Sequence, residues 1–542
     1  MPRFLLLIVF VLLAGCGAQS NGGTEDDGFG APAPRCGPEW QQLSLDFSPE
    51  LSKTYAYLPF LVGPGVQRVE LRYGWTARSP LPSTPLTGTT VDLGLWDARG
   101  LRSGFRGWGG SRQGRLDRDT GPVFVEAQSA DRGFYPGPIQ AGRWHIELGL
   151  AATDEFGADV LAEFRCLGQA EAEPRPAGPR LDPSAVRNPN PGWYAADFHM
   201  HGYHSNPAAP DWEGVIAQAR EAGLQVLMLT DYVTDRHHRE LTQAQAAHPD
   251  LLLWPGREVI TYFGHANIHG EVSTTPDYRH GWEDLTLGLI QDEAVADGAL
   301  FQINHPTTFP PPLFSNLCRG CAFELDSFID FDQVHLVEVV NAAPVANGSD
   351  IGLPIPGEIE NPFTSTAIEW WLDKLRAGYR LTAVSGSDSK GVDAPEERTR
   401  KGYGSSATRI GADSLSRPAL KAALLEGRAY IQVRGVNDSP EAELLVSSAD
   451  GQSGTFGSSL QADSANLQIT LRGASGQLLT IFRDQLPVIS VPVLTDPYVH
   501  EQPIFRLPLE EGPLGTIWRF EVSDSRSRTI ISNPVFLRPA TP

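Results

Sequence analysis

Apolar runs that end at a polar residue recur through the middle of the chain. The segments WYAADFHMH, LQVLMLTDY, LLLWPGREV, ALFQINHP, HLVEVVNA and RLTAVSGSDS each place a strand-like apolar stretch before a charged or polar side chain. Two segments between them, DWEGVIAQAREAG and AIEWWLDKLRAG, repeat apolar residues at helical spacing. This alternation predicts an α/β fold with parallel strands and right-handed helical crossovers.

The ends of these helices are marked in the sequence. Asp211 is a candidate N-cap for the first helix, and Gly223 is a stop signal after it. Gly378 predicts the end of the second helix.

The polar residues that follow the apolar runs are metal-ligand types. His199 and His201 project the same way, because side chains alternate along an extended chain. An HxH pair alone is a weak signal in a chain with 13 histidines, and two surface histidines are the alternative. The other residues at such positions are Glu258, His265, His305 and Asp388, with His269 as an outlier. Chemistry in α/β barrels gathers at the carboxyl ends of strands, so the recurrence predicts one metal centre there.

The order DFHMH, LTDY, GREV, GHANIHG, INHP and GSDS resembles the polymerase and histidinol phosphatase (PHP) metallohydrolases. Within that superfamily it is similar to the carbaryl-hydrolase-like branch, often labelled CehA/McbA. The likeness runs from about Gly192 to Gly435. It implies a distorted, TIM-like (β/α)7 barrel that holds up to three metal ions.

The resemblance also implies a ligand set. His199, His201, Glu258 and Asp388 would hold a first ion. Glu258, His265 and His305 would hold a second, so Glu258 would bridge the two ions.

Two departures from the family pattern fall on the third ion. Relatives usually have histidine where this chain has Tyr232 and Lys390. The remaining third-ion ligand has no clear counterpart, since only His204 and Asp211 lie nearby in the sequence. We therefore expect two divalent ions, and the ligand types suit Zn, Mn or Fe.

Lys390 is unusual in this chain, which has five lysines against 38 arginines. Its ammonium is a candidate substitute for the positive charge of the missing ion and a candidate contact for a substrate oxygen. A lysine on a surface loop is the equal alternative.

Two ions that share a carboxylate predict hydrolysis by a metal-activated hydroxide. Asp231 is a candidate proton shuttle or orienting group, although a residue at a strand end also caps helices. His269 is a candidate substrate contact, but a structural histidine is the favoured interpretation. Arg257 and Tyr232 are further candidate substrate contacts.

Three functions are compatible with this site. Phosphoester hydrolysis is favoured by the superfamily, and basic residues around the metals would support it. Hydrolysis of a carbamate, ester or amide is favoured by the branch, and an apolar, aromatic site would support it. The third hypothesis is a non-catalytic cell-surface binding protein that retains the barrel as a scaffold. A small molecule is the expected substrate of either enzyme.

The beginning of the chain resembles a bacterial lipoprotein signal. A short basic start and the apolar run from Phe4 to Leu13 precede Leu-Ala-Gly-Cys, and the run is too short for a membrane span. This predicts a signal peptide over residues 1–15, lipid attachment at Cys16 and a flexible stalk over 16–35. The protein is therefore expected at the periplasmic face or cell surface, at the outer membrane, with the lipid as its only membrane contact.

The other four cysteines group as Cys36 with Cys166 and Cys318 with Cys321, and disulfides suit an exported protein. Short β-rich runs predict a β-sandwich at residues 36–168 and another at 436–542. A proline-rich linker at 169–190 precedes the barrel at 191–435. The net charge of −22 argues against nucleic acid as a partner, because phosphate repels an acidic surface.

Overall fold

A computed structural model describes residues 33–80, 87–111, 121–175, 178–273, 277–347, 358–508 and 511–539. The predicted signal peptide and Cys16 lie outside the described residues. Among the residues it describes, no helix has the length and apolar character needed to cross a membrane.

The N-terminal region consists of two four-stranded antiparallel sheets. Strands β1 to β8 are Gln41–Phe47, Thr54–Val62, Arg68–Ala77, Thr90–Trp96, Phe105–Gly110, Val123–Glu126, Gly142–Ala152 and Ala158–Leu167. The sheets have the orders β1-β8-β3-β6 and β2-β7-β4-β5. Phe60, Trp144 and Phe164 are fully buried in the core that these strands enclose. A disulfide joins Cys36 to Cys166, with the Cα atoms 5.5 Å apart.

In the middle region, helices separate some of the strands, while other strands follow each other directly. Strands β9 to β21 are Val186–Asn188, Gly192–Met200, Val226–Leu229, Leu252–Thr261, Gly264–His269, Leu300–Ile303, Leu336–Asn341, Val345–Asn347, Glu358–Glu360, Thr382–Gly386, Ala407–Ala412, Leu415–Ser416 and Ala429–Gln432. Helices α1 to α7 are Trp212–Glu221, Leu241–Ala247, Leu287–Ala296, Pro362–Ala377, Pro395–Lys401, Arg417–Glu426 and Gly435–Asp438. Short 3-10 helices cover Pro49–Leu51, Arg236–Arg239, Asp326–Phe328 and Phe331–Gln333.

The central sheet has the order β18-β15-β14-β13-β12-β11-β10-β19-β21. β10, β11 and β12 are parallel, as are β14, β15 and β18. β13 is antiparallel to both of its neighbours, so the prediction of an all-parallel sheet is wrong there. Only Tyr262 and Phe263 separate the paired residues Thr261 and Gly264, and a connection this short cannot make a parallel crossover. The fold is mixed α/β and mostly sheet, and a regular TIM barrel is not shown.

The ends of β10 and β18 lie beside each other although they are far apart in the sequence. The backbone N–H of His201 donates to the carbonyl of Ser389 at 2.9 Å, and the N–H of Asp388 donates to the carbonyl of His199 at 2.8 Å. These bonds bring three predicted ligands to one place.

The predicted helix ends are confirmed. The Asp211 side chain accepts a hydrogen bond from the backbone of Gly214 at 2.9 Å and caps α1, which ends just before Gly223. Helix α4 ends at Ala377, where Gly378 adopts a left-handed φ of 105°. It begins at Pro362, earlier than the apolar pattern indicates.

The C-terminal region is entirely β-structure. Strands β22 to β31 are Glu441–Ser448, Ser453–Gly454, Ser459–Gln461, Ser464–Arg472, Leu478–Arg483, Leu486–Pro492, Tyr498–Phe505, Thr516–Ser523, Arg528–Ser532 and Val535–Arg538. One sheet has the order β23-β22-β25-β28. The other continues the central sheet, because β21 pairs with β30.

The N-terminal region packs on the β12–β13 hairpin through buried polar groups. We call these groups the interface cluster, which consists of Asp92, Trp96, Glu147, Tyr262, Tyr278 and Arg319. Glu147 accepts hydrogen bonds from Trp96 Nε1 at 2.6 Å and from the Tyr278 hydroxyl. Asp92 accepts from Arg319 Nε at 2.9 Å and from the Tyr262 hydroxyl at 3.1 Å. The packing also brings Trp108 edge-on to Tyr232, with ring centres 6.1 Å apart.

Candidate metal centre

The six predicted ligands converge at one end of the central sheet. His199 is the next-to-last residue of β10, and His201 comes directly after this strand. Glu258 lies in β12 and His265 in β13. His305 lies two residues after the end of β14, and Asp388 lies two residues after the end of β18. All of these side chains are buried except that of Asp388, which is 23% exposed.

Glu258 lies between two pairs of histidines. Its Oε2 atom is 3.4 Å from His199 Nε2 and 3.5 Å from His201 Nε2. Its Oε1 atom is 3.2 Å from His265 Nδ1 and 3.7 Å from His305 Nε2. Each carboxylate oxygen therefore faces a different pair of imidazoles, which is the arrangement of a bridging ligand.

Asp388 completes the group around His199 and His201. Its Oδ1 atom is 2.9 Å from His201 Nε2 and 3.7 Å from His199 Nε2. Asp388 and His305 have positive φ angles of 48° and 30°, which non-glycine residues rarely adopt. Such backbone strain is found mainly at functional sites.

The donor atoms of the first group fit a metal ion. His199 Nε2 and Glu258 Oε2 are buried and have no hydrogen-bond partner, and His201 Nε2 makes no hydrogen bond of good geometry although Asp388 Oδ1 lies 2.9 Å away. The opposite nitrogen of each histidine is engaged: His199 Nδ1 lies 3.2 Å from both oxygens of Glu338, and His201 Nδ1 lies 3.1 Å from Ser205 Oγ. A proton held on Nδ1 leaves the Nε2 lone pair free for a metal, as in carboxylate–histidine–metal triads.

The carboxylates of the centre are ionised. Burial raises the pKa of Glu258, but the charge of His199 and the close approach of the other histidines outweigh it, so the pKa lies well below its usual value. Burial likewise raises the pKa of Asp388, and Lys390 and His199 lower it well below the usual range. Both groups are therefore negative at neutral pH.

The histidines respond in opposite directions. Burial lowers the pKa of His201 and of His265, which keeps both imidazoles neutral and able to bind a metal. Burial also lowers the pKa of His199, but Glu338, Glu258 and Asp388 outweigh it and raise the net value well above normal. Without a metal, a proton on His199 therefore supplies the positive charge that these carboxylates attract.

Lys390 and Tyr232 lie together beside the first group. Lys390 Nζ is 2.6 Å from Asp388 Oδ1 and 5.3 Å from the centre of the Tyr232 ring. The Tyr232 ring is 4.2 Å from the ring of His201. Tyr232 and Lys390 are thus neighbours, and Lys390 is a partly buried site residue, with its side chain 29% exposed.

Asp231 acts on His201 through Ser205. Asp231 Oδ1 accepts hydrogen bonds from the Ser205 hydroxyl at 2.6 Å and from the backbone of Gly202 at 2.7 Å. The Ser205 hydroxyl lies 3.1 Å from His201 Nδ1. His204 lies outside the centre, because its two nitrogens contact the Gly133 backbone and Glu240.

Two candidate substrate contacts are structural. Arg257 lies in β12 next to Glu258, and alternation along the strand turns it away; its guanidinium donates to the carbonyls of Val233 and Asp277. The structure therefore does not bring Arg257 to the site. His269 Nε2 is 2.9 Å from Gln302 Oε1, and burial lowers the pKa of His269 to about 4.

Three site residues were missed at the sequence level. Glu338 orients His199. The sequence feature that could have revealed Glu338 is the position of a charged residue inside the apolar run HLVEVVNA. Ser205 orients His201, and nothing in its sequence surroundings indicates this. Cys321 Sγ lies 4.0 Å from both His265 Nδ1 and His305 Nε2, and Cys321 is paired with Cys318.

Comparisons with known proteins found a similar solved structure but no matching family or curated sequence. No protein-family model matches the chain, and no curated protein sequence matches it. One solved structure that it resembles is a two-domain protein from Bacteroides vulgatus, described as containing a predicted PHP-like metal-dependent phosphoesterase. The identity is 19%, the match covers 68% of this chain and 100% of the other, and the TM-score is 0.34.

Proposed function

We propose that the protein is a metal-dependent hydrolase with two divalent ions, Zn, Mn or Fe, on a distorted barrel of the PHP type. The observation that carries the proposal is Glu258, whose two oxygens face two separate histidine pairs. Buried donor atoms without hydrogen-bond partners support it, since such atoms are costly unless a ligand binds them.

Two bound ions would lower the pKa of a bound water and polarise the bond to be hydrolysed. The chain's own residues have distinct parts in this chemistry. Glu258 would bind both ions, one through each carboxylate oxygen. Asp231 and Ser205 keep the His201 ring oriented, so Asp231 is a positioning residue. Lys390 supplies a positive charge at the open side of the first group.

Phosphoester hydrolysis is the reaction that we propose. Lys390 favours it, because an ammonium beside the metal ligands suits an anionic substrate. Carbamate, ester or amide hydrolysis is therefore the alternative outcome of a substrate test.

We further propose that the protein is an exported bacterial lipoprotein and that a lipid at Cys16 tethers it at the outer membrane. A small molecule is its substrate, and the acidic surface makes nucleic acid an unsuitable one.

Metal content tests the proposal. Full-length protein reconstituted with excess Zn or Mn should bind two ions per chain. A stoichiometry of three would contradict the inference drawn from Tyr232 and Lys390. A protein that binds no metal would be the scaffold of a binding protein instead.

A substrate panel separates the reactions. Aryl phosphate mono- and diesters, aryl carboxyl esters and aryl carbamates should be compared on the two-metal protein. We expect the phosphoesters to be hydrolysed fastest. A preference for the uncharged carbamate or ester would assign the alternative activity.

A further inference from the structure

The sulfur of Cys321 lies beside the second metal group. It is 4.0 Å from His265 Nδ1 and 4.0 Å from His305 Nε2. These are the same nitrogen atoms that face Glu258 Oε1, at 3.2 and 3.7 Å. Cys321 is only 1% exposed, so its sulfur belongs to the interior of the site.

Glu258 Oε1 and the Cys321 sulfur both approach the two histidine nitrogens that would hold the second ion. Ligands bound at about 2.0 Å through nitrogen or oxygen and about 2.3 Å through sulfur lie roughly 3.3 to 3.6 Å apart. The two distances of 4.0 Å from the Cys321 sulfur to the histidine nitrogens exceed this spacing, so the sulfur has to move towards the histidines to bind the ion. Two histidines, one carboxylate and one thiolate are a complete zinc ligand set.

The loop that carries Cys321 is anchored independently of the Cys318–Cys321 bond. Arg319 donates to the buried Asp92 at 2.9 Å, which ties the loop to the N-terminal region. The backbone N–H of Phe323 donates to the carbonyl of Pro306 at 2.8 Å, next to His305. Opening of the disulfide therefore leaves the Cys321 sulfur beside the site.

We propose that Cys321 is a redox-dependent fourth ligand of the second ion, an inference that rests on the two-metal centre proposed above. Paired with Cys318, the Cys321 sulfur has no thiolate to offer. Reduction of the disulfide frees a thiolate that joins His265, His305 and Glu258 around the ion.

The chemistry balances with a dithiol as reductant. Cys318 is exposed, so a dithiol thiolate attacks its sulfur, the Cys318–Cys321 bond breaks and the Cys321 sulfur leaves as a thiolate. The second sulfur of the reagent then attacks the first, which closes the disulfide of the reagent and releases Cys318 as a thiolate that takes a proton. The two electrons lost by the reagent are left on the Cys318 and Cys321 sulfurs. Without a metal, the Cys321 thiolate takes a proton from water.

The two redox states have different consequences for catalysis. Catalytic zinc sites keep one position open for water, whereas sites with four protein ligands are closed. The oxidised protein keeps that position open at the second ion, and the reduced protein fills it. We therefore expect turnover to fall on reduction and to recover on reoxidation.

X-ray absorption at the zinc edge tests the inference without an activity measurement. Full-length zinc-loaded protein should show only nitrogen and oxygen neighbours when oxidised, and should gain one sulfur neighbour at about 2.3 Å after treatment with a dithiol. Cys318→Ser should show the sulfur neighbour without reductant, because it leaves Cys321 unpaired. Cys321→Ser is the matched control and should never show it.

The outcomes are distinguishable from those for the proposed function. Two zinc ions per chain with no sulfur neighbour in reduced protein or in Cys318→Ser would overturn the role of Cys321 and leave the hydrolase proposal intact. Fewer than two ions in the oxidised protein would overturn both. A sulfur neighbour in reduced Cys321→Ser would assign the ligand to Cys318 and overturn the inference.

Discussion

The metal centre and the interface cluster are both built from buried carboxylates, yet they use them in opposite ways. In the interface cluster, Glu147 and Asp92 each accept hydrogen bonds from two side chains, which are tryptophan, tyrosine or arginine. In the metal centre, Glu258 Oε2 and the facing histidine nitrogens have no hydrogen-bond partner. Buried polar groups are normally satisfied, so an unsatisfied carboxylate oxygen that faces two unsatisfied imidazole nitrogens favours a site that a ligand completes.

The acidity of the carboxylates follows the same division. Burial raises the pKa of Glu147 and of Asp92, and their neighbours do not overcome it. The pKa of Glu258 is well below normal despite equal burial, because imidazoles surround it. The interface cluster thus holds its acids as structural groups, while the metal centre holds an anion ready for a cation.

The largest expected effect is that of removing the bridging charge. Glu258→Gln keeps the size of the side chain but takes away the anion that both ions share. We expect lower metal occupancy at both positions and a loss of turnover of at least about a hundredfold. Elemental analysis and steady-state kinetics measure the two quantities.

His269→Ala is the control for this substitution. It removes a buried histidine that contacts no ligand, and it should keep two ions per chain. Normal turnover with full metal in Glu258→Gln would show that Glu258 is not a ligand.

A smaller effect is expected from the positioning residue. Asp231→Asn weakens the acceptor that holds Ser205, and so the orientation of His201. Loss of a group that orients a metal-binding histidine typically lowers metal affinity about ten- to a hundredfold. Competition with a chelator measures this, and the ion bound by His265 and His305 should be retained better. Equal loss of both ions would indicate general misfolding.

Lys390→Ala should affect turnover more than metal binding. The Lys390 ammonium places a positive charge beside Asp388. The substitution removes this charge, and with it the attraction to an anionic substrate. We expect two bound ions and turnover that is lower by about tenfold for a phosphoester, in line with one charged hydrogen bond. A neutral ester serves as the comparison substrate. Unchanged kinetics for every hydrolysed substrate would leave Lys390 without a role in the reaction.

The smallest effect should come from the interface cluster. Tyr278→Phe removes one of the two donors to Glu147, which should lower the free energy of unfolding by about 1 kcal/mol. Denaturant titration measures this loss, and metal stoichiometry should remain unchanged. A change in metal content would show that the interface cluster affects the metal centre, and it would contradict the expectation that the two regions act independently.

Part of the fold and of the site could be predicted from local sequence signals. The N-cap at Asp211 and the stop at Gly378 were correct because capping and left-handed glycine depend on neighbouring residues only. The reversal of β13 was missed because the segment GHANIH has the composition of any strand. Its direction follows from the two-residue connection at Tyr262 and Phe263, whose shortness local patterns did not reveal.

The sequence by itself determined which residues are able to bind metal and that apolar strands deliver them. Side-chain alternation sufficed to set His199 and His201 on one face. The tertiary structure alone decided which atoms meet. The division of the Glu258 oxygens between two histidine pairs, the Glu338 and Ser205 contacts, and the approach of Cys321 all join distant segments. They depend on sheet order and packing, which no local pattern encodes.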